Sequence, residues 1–251
     1  MPLLQTRKLV KRFGDNTAVD HVDFAVDESE LVALIGSNGA GKTTLVNLIS
    51  AYLRPDEGEI IFREHSINDW SSTRRVRSGI ARSFQLVSLF DQLSTLENVA
   101  LSIFGREGKT DRMISPAKSD RTVQEEAEDV LGRFGLEALA DTSAGALAHG
   151  ERKLLDVAVA YALRPLLLFL DEPTSGVNTR DKTQIMDTIA SVVRGGKMAA
   201  VIIEHDMDVV FRYSDRIVAM HQGSILAEGS PEQIRNNSAV VTHMLGGSVL
   251  S

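Results

Sequence analysis

The sequence contains no cysteine among its 251 residues. This absence excludes disulfide bonds, thiolate metal sites and cysteine nucleophiles, and it fits a reducing compartment. Long hydrophobic runs are also missing. The longest are Leu166 to Leu170 and Met198 to Ile203, far short of the ~20 apolar residues that a membrane-spanning helix needs. The first residues lack an apolar stretch of signal-peptide length. We therefore expect a soluble chain whose membrane role, if it has one, comes through a partner.

An excess of basic charge is absent as well. The chain has 27 basic and 34 acidic residues, for a net charge of −7. Nucleic-acid binding by counterion release needs a clustered basic surface, so we expect no nucleic-acid partner. The one dense basic cluster comprises Arg74, Arg75, Arg77 and Arg82, and we interpret it as solvated surface.

The sequence does contain a glycine-rich loop between a strand and a helix. It reads Gly36-Ser37-Asn38-Gly39-Ala40-Gly41-Lys42-Thr43-Thr44 and directly follows the apolar run Leu31 to Ile35. The glycines let backbone N–H groups point at phosphate oxygens, assisted by the positive end of the following helix. Lys42 would reach the terminal phosphates and Thr43 would bind Mg²⁺. The pattern predicts a nucleoside triphosphate site formed by residues 37–44.

A second motif consists of two adjacent carboxylates at the end of an apolar strand. Asp171 and Glu172 follow Leu166 to Leu170, at the sheet edge where ligands bind in open α/β folds. Neighbouring acids in an apolar setting are costly without a cation, and Mg²⁺ on a triphosphate supplies one. We expect Asp171 to hold the metal and Glu172 to orient and deprotonate the attacking water.

The wider pattern predicts an α/β chain with a helical insertion. Short apolar strands alternate with helices at Lys42 to Ala51 and Thr179 to Arg194, as in a parallel sheet covered on both faces. Between them, a capping box at Ser94 to Glu97 opens a helix, residues 120–134 have amphipathic spacing, and a third helix runs from near Gly150 to Leu163. We therefore divide the chain into a core of residues 1–85 and 164–251 and a helical sub-domain of residues 86–163.

Together these motifs resemble the ATP-binding subunit of ABC transporters over nearly the whole chain. The resemblance implies a P-loop NTPase (RecA-like) α/β core, an antiparallel β part at the N-terminus and an inserted helical sub-domain. It also implies that the ligands are ATP and Mg²⁺ and that the reaction is ATP hydrolysis.

The resemblance assigns roles to three further residues. Phe13 matches the aromatic residue that stacks on adenine. Gln85 matches the glutamine that touches Mg²⁺ or the attacking water, and His205 matches the histidine that contacts the γ-phosphate. The implied catalytic residues are thus Glu172, His205 and Gln85, and the implied metal ligands are Thr43, Gln85 and Asp171.

The family's signature, normally Leu-Ser-Gly-Gly-Gln, is Leu147-Ala148-His149-Gly150-Glu151 in this chain. In the family this segment caps the γ-phosphate of the nucleotide held by the opposite subunit. The resemblance therefore implies that Ala148, His149 and Gly150 contact that nucleotide, and that the chain needs a second ATP-binding subunit, either the same or homologous.

Two departures from the usual signature affect its strength. Ala148 lacks a hydroxyl that would donate to phosphate, and such a neutral hydrogen bond contributes about 0.5–1.5 kcal/mol. The helix dipole and the Gly150 N–H remain available to the anion. Glu151 adds a negative charge that is unfavourable unless Arg152 or Lys153 offsets it. We expect a working but weakened signature.

Other segments resemble the importers of branched-chain and hydrophobic amino acids, or of urea. Ser175 to Asn178 matches the loop that contacts the other subunit, and Asn178 replaces the aspartate of many relatives. Residues 86–94 resemble the surface that receives the permease, although they could equally be core. The resemblance implies permease subunits that dock near residues 85–104, a periplasmic or extracellular solute-binding protein, and a cytoplasmic position on the inner face of the cell membrane.

Several alternatives remain open at this point. Within the same family, the chain could extract lipid or export solute. A soluble ABC-type ATPase acting on nucleic acid or ribosomes would usually carry two cassettes or a long coiled-coil insert, and neither is present in the sequence. A small-molecule kinase would have an acceptor pocket and a lid instead of Gln85, residues 147–151 and His205.

Overall fold

The computed structural model describes residues 1–83, 89–108, 120–196 and 198–244. Within these ranges the strands are β1 (Leu4–Phe13), β2 (Asn16–Val22), β3 (Ala25–Val26), β4 (Leu31–Ile35), β5 (Glu57–Phe62), β6 (His65–Ser66), β7 (Ile80–Arg82), β8 (Leu167–Asp171), β9 (Ala199–Ile203), β10 (Arg216–His221) and β11 (Ser224–Gly229). The helices are α1 (Lys42–Ile49), α2 (Ser72–Arg77), α3 (Thr95–Glu107), α4 (Arg121–Arg133), α5 (His149–Tyr161), α6 (Thr179–Gly195), α7 (Met207–Tyr213), α8 (Pro231–Arg235) and α9 (Ser238–Met244). Among the described helices, none is long and apolar enough to cross a membrane.

The central sheet has the strand order β11-β10-β4-β9-β8-β7, with parallel pairing throughout except between β10 and β11. Every residue of β4, β8 and β9 is buried, as expected for parallel strands covered on both faces. Alternate residues point to opposite faces. Leu31, Ala33 and Ile35 therefore join the apolar cluster on the helical side, whereas Val32 and Leu34 join the cluster that contains α1.

The register of the central strands brings three loops to one edge of the sheet. Leu34 and Asp171 both lie beside Ile203, one on each side. Because parallel strands end at the same edge, the segments that follow β4, β8 and β9 are neighbours in space. This edge carries the glycine-rich loop, Glu172 and His205.

A second sheet lies at the N-terminal side of the chain and is antiparallel, in the order β2-β1-β5-β6 with β3 paired to β1. The predicted antiparallel part is therefore present. Gly14, in the turn between β1 and β2, adopts a left-handed φ of 58° and allows a tight reversal.

The helices α3, α4 and α5 lie between β7 and β8 in the chain. Ser94 and Glu97 form the predicted capping box at the start of α3, with Ser94 N donating to the Glu97 carboxylate at 2.8 Å and Glu97 N donating to Ser94 Oγ at 3.1 Å. The apolar residues of α4 are buried in the cluster that also contains α3 and α5, as its amphipathic spacing predicts. The limits of the helical sub-domain at 86 and 163 stay a prediction.

The interpretation of the basic cluster as solvated surface is wrong for Arg75 and Arg82. Arg75 is 1% exposed and donates to the carbonyl oxygens of Leu48, Ile49 and Ile67 at 2.6 to 2.7 Å. The last carbonyls of a helix have no partner within it and carry its negative end, so α1 provides a ready site for a guanidinium. Burial lowers the pKa of Arg75 to about 10.

Candidate functional site

The glycine-rich loop connects β4 to α1 and is constrained by a neighbouring strand and turn. A side chain at Gly41 would collide with the carbonyl oxygen of Ala18, and Gly41 has a left-handed φ of 105°. A Cβ at Gly36 would lie 2.5 Å from the carbonyl oxygen of Met220. The loop can follow this path only because both positions lack a side chain, which leaves its backbone free to surround an anion.

Lys42 begins α1 and is buried beneath this loop. Its Nζ donates to the carbonyl oxygens of Gly36 at 2.6 Å and Ser37 at 3.1 Å. Burial lowers the pKa of Lys42, while the charges of Glu172 and Asp171 act in the opposite direction. The lysine therefore places a cation at the centre of a loop whose N–H groups and helix terminus also favour negative charge.

A cavity of about 430 Å³ opens over the loop. Phe13 lines it at one end and is 48% exposed, although it ends a strand whose other large apolar residues are buried. Such an exposed ring offers a flat surface for a planar base. The cavity is lined by Phe13, Asn16, Ala18, Asn38, Gly39, Ala40, Gly41, Lys42, Thr43, Thr44, Asp171, Glu172, Ile203 and His205.

Asp171 ends β8 and forms a buried ion pair with Arg82 at the end of β7. The Nη2 to Oδ2 distance is 2.9 Å, and the two side chains are 10% and 6% exposed. Arg82 Nη1 also donates to the side-chain oxygen of Asn47 on α1 at 2.6 Å. The cation beside this buried carboxylate is therefore an arginine, and the expected Mg²⁺ at Asp171 stays a prediction. Carboxylate and hydroxyl oxygens are the ligands that Mg²⁺ prefers, and Asp171 and Thr43 supply them in one cavity.

Glu172 follows Asp171 in an unusual backbone conformation. Its φ is 50°, in the left-handed region, which costs about 1–3 kcal/mol for a residue with a side chain. Its N–H donates to the carbonyl oxygen of Ile203 at 2.9 Å. Its carboxylate Oε1 lies 3.3 Å from Nε2 of His205. The strands β8 and β9 thus bring these two residues together beside the cavity.

The neighbouring acid, Glu204, has a structural role. It is buried, and its Oε1 accepts from the N–H and the hydroxyl of Thr174 at 3.0 and 2.6 Å. Its Oε2 accepts from the N–H of His205 at 3.2 Å. Glu204 therefore fixes the loop after β8 against the loop after β9, which supports the contact between Glu172 and His205.

Residues 19–175, which include the glycine-rich loop and Glu172, match the model of the ABC transporter family. The chain belongs to the ABC transporter family. It is therefore an ATP-binding and ATP-hydrolysing cassette, as the resemblance implied. It is 37% identical over 251 residues, covering 98% of both chains, to the high-affinity branched-chain amino acid transport ATP-binding protein LivG of Escherichia coli (strain K12).

Solved structures confirm the fold class of this cassette. An ATP-binding cassette of an ABC transporter in its ADP conformation superposes with a TM-score of 0.88 at 29% identity, covering 98% of this chain and 99% of that one. A dimeric bacterial ABC transporter cassette gives a TM-score of 0.76 at 25% identity, covering 91% and 98%.

The signature segment of the cassette forms the start of α5. Ala148 is the N-cap residue, and its N–H donates to the Glu151 carboxylate at 2.8 Å. Arg152 instead donates to Asp91 and to the Ala144 carbonyl, so the charge of Glu151 is satisfied by the helix terminus and not by Arg152. This carboxylate occupies part of the terminus at which an anion would bind.

Within the same cassette chain, the signature contacts the loop after β8. His149 Nε2 lies 3.3 Å from the carbonyl oxygen of Ser175. Asn178 accepts from Asp181 N at 3.0 Å and caps α6, a role that explains an asparagine at this position without a partner subunit.

Not every site residue can be placed. Gln85 and residues 86–88 lie outside the described residues, so the roles of Gln85 stay a prediction. The structure adds residues that sequence reasoning missed: Arg82 beside Asp171, and Lys153, which contacts the backbone of Glu172. Lys153 appeared in the sequence only as a charge that could offset Glu151.

Proposed function

We propose that this cassette powers the uptake of branched-chain or other amino acids across the cytoplasmic membrane. The observation that supports this most strongly is the match to LivG, which covers nearly all of both chains. The cassette itself would consume ATP, and separate permease subunits would form the path for the solute.

The cavity over the glycine-rich loop is the proposed ATP site. Residues 37–44 would hold the phosphates, and Phe13 would stack on the adenine. Thr43, Asp171 and Gln85 would hold Mg²⁺, which neutralises developing charge on the phosphates when it is bound. The buried position of Lys42 and the oxygen ligands of Thr43 and Asp171 support this assignment.

Glu172 is the proposed general base for hydrolysis. Its carboxylate would orient water and accept a proton from it as the water attacks the terminal phosphorus. His205, 3.3 Å from Glu172 Oε1, would hold the carboxylate and contact the γ-phosphate. Gln85 would complete this catalytic set.

The complete site requires a second ATP-binding subunit, which would contribute Ala148, His149 and Gly150. In the part of the chain that the structure describes, these three residues are not among those that line the cavity over the glycine-rich loop. A likeness to a dimeric cassette supports the pairing. Closure of two subunits around two nucleotides would be driven by their higher affinity for ATP in the closed state.

The permease would dock near residues 85–104, of which the structure describes residues 89–104. Phe90 is 61% exposed. A groove of about 710 Å³ lies at the other end of α3, where Gly105 and Arg106 line it, and it continues past the exposed side chains of Tyr52 and Val76. Exposed apolar groups of this kind are expected at an interface. Docking would hold the cassette at the inner face of the cell membrane, and a solute-binding protein would complete an importer.

Two variants test the proposed chemistry. Glu172→Gln should keep ATP binding and lose about 10²–10⁴-fold in hydrolysis, because it removes the base but keeps the shape. Lys42→Ala should lose ATP binding itself. Hydrolysis by the Glu172→Gln protein at the parental rate would exclude Glu172 as the base.

The solute is tested in the organism that carries the gene. A deletion strain should lose uptake of radiolabelled leucine, isoleucine or valine, and recover it with the wild-type gene but not with the Glu172→Gln gene. Radiolabelled urea provides the comparison. Unchanged amino acid uptake in the deletion strain, with loss of urea uptake or of an exported compound, would overturn the proposed substrate class.

A further inference from the structure

Lys153 connects the signature helix to the backbone of Glu172. It lies on α5, one turn after Gly150, and is 7% exposed. Its Nζ donates to the carbonyl oxygen of Glu172 at 3.2 Å and to the hydroxyl of Ser175 at 3.1 Å. Both acceptors are neutral oxygens of the loop after β8, and the charge of Lys153 also interacts with the carboxyl of Asp156, three residues further along α5.

Hydrogen bonds hold the backbone of Glu172 on both sides of its Cα. Its N–H donates to Ile203 on β9, and its C=O accepts from Lys153 on α5. Between these two contacts the backbone has a φ of 50°, a conformation that persists only where the surroundings impose it. Because the carboxylate lies beside His205, a rotation of this backbone would move the proposed base away from its partner.

A second contact joins α5 to the loop after β8. His149, within the signature itself, places Nε2 3.3 Å from the carbonyl oxygen of Ser175. Two side chains of α5, His149 and Lys153, which lie one turn apart, therefore contact the loop after β8 at Ser175. A shift of the signature on contact with a nucleotide held by a partner subunit would reach the segment that contains Glu172 through these contacts.

We propose that Lys153 is a positioning residue for hydrolysis: it holds the Glu172 backbone in place and couples that position to the signature helix. This inference rests on the proposed role of Glu172 as the base. It predicts that the loss of Lys153 affects the chemical step and leaves nucleotide binding and subunit pairing in place.

The test compares four single variants of the full chain. Lys153→Met should lower kcat about 10- to 100-fold, since small displacements of a reacting group have effects of this size, while the KM for ATP changes less than about threefold. Lys153→Arg, which keeps a buried cation, should recover most of this loss. Ser175→Ala removes one acceptor without burying new groups and should cause a smaller loss of kcat. Ser102→Ala is the control, because it removes a hydrogen bond to the other end of α5, at Val159, and should leave kcat unchanged.

Subunit pairing gives a readout that does not depend on turnover. Dimer formation with ATP, measured by size-exclusion chromatography with light scattering, should be the same for Lys153→Met as for Glu172→Gln. If Lys153 only stabilises the fold, pairing, ATP affinity and kcat of Lys153→Met would all fall together. That pattern overturns the inference.

Combining Lys153→Met with Glu172→Gln separates the two proposals. Single-turnover hydrolysis over hours should be no slower in the double variant than in Glu172→Gln alone, because Lys153 acts through Glu172. Additive losses would show that Lys153 acts elsewhere and overturn this inference only. A Glu172→Gln variant with full activity would overturn the role of Glu172, whatever Lys153→Met does.

Discussion

Replacement of Asp156 by asparagine should stabilise the cassette at pH 8. Asp156 lies in the middle of α5, where its carboxyl accepts a hydrogen bond from Ser83. Burial raises the pKa of Asp156 to about 7, although the charge of Lys153 and the Ser83 hydrogen bond act to lower it. The folded protein therefore holds this carboxyl in its neutral form over a pH range in which the unfolded chain ionises it.

The size of the effect follows from the two pKa values. Relative to the unfolded value of 3.8, a folded value of about 7 corresponds to roughly 4 kcal/mol at most, at 1.36 kcal/mol per pKa unit. Because the folded state binds the extra proton, this stability is complete below the unfolded pKa and is lost as the pH rises through the folded pKa. Asparagine remains neutral, so the advantage of Asp156→Asn over wild type should grow from near pH 4 to near pH 7 and then level off.

Urea unfolding at a series of pH values, followed by circular dichroism, measures this difference in the free energy of unfolding. A constant difference between Asp156→Asn and wild type across the pH range would refute the reasoning.

The opposite sign is expected for Glu30→Gln. Burial acts to raise the pKa of Glu30, but hydrogen bonds from Arg216 and the Asp27 N–H hold it below its ordinary value. Glu30→Gln should therefore destabilise the protein at neutral pH, with an effect that shrinks in acid.

Three further predictions concern the site. Arg82→Met should lower the melting temperature of the nucleotide-free protein, since breaking a buried ion pair from one side costs about 3–5 kcal/mol. Addition of ATP with Mg²⁺ should recover part of this loss, because Mg²⁺ would take the place of Arg82 as the cation beside Asp171. An equal loss with and without ATP and Mg²⁺ would contradict this. Gly41→Ala should weaken binding of a fluorescent ATP analogue more than Gly39→Ala, because a side chain at Gly41 meets the Ala18 carbonyl whereas the space beside Gly39 is open; equal losses would contradict this. Ala148→Ser should raise ATPase activity modestly at ATP concentrations below saturation and stabilise the start of α5 by about 0.5–2 kcal/mol; an unchanged or lower rate at those concentrations would show that the missing hydroxyl does not limit activity.

The sequence predicts most of the fold because its strongest patterns are local. Five consecutive apolar residues define β4 with its observed bounds, and the glycine-rich loop follows directly. The start of α3 is predicted from Ser94 and Glu97 alone, since a capping box lies within four residues. The strand ends at Asp171 and Ile203 then place Glu172 and His205 at the same edge by the rules of parallel sheets.

The partners of the buried cations could not be predicted in this way. Arg82 and Asp171 are separated by 89 residues, and their contact depends on the pairing of β7 with β8. Arg75 depends in the same way on where α1 ends. Charge runs in a sequence indicate solvated surface in most cases. Only the folded structure shows which of these cations donate hydrogen bonds to backbone carbonyl oxygens and which form an ion pair with a carboxylate.

The departures from the usual signature, Ala148 and Glu151, lie at the start of α5, in the segment that we propose contacts the nucleotide held by a partner subunit. Within the chain, the structure shows the contacts of Lys42, of Asp171 and of Glu172 with His205, which are the residues that we propose for binding and hydrolysis. At the start of α5, by contrast, Ala148 has no hydroxyl, and the Glu151 carboxylate accepts the Ala148 N–H and so places a negative charge where a partner's phosphate would approach. We therefore expect these substitutions to weaken the proposed closure of two subunits rather than the chemical step. A change at Ala148 should alter the ATP concentration needed for half-maximal activity, whereas a change at Glu172 should alter the maximal rate.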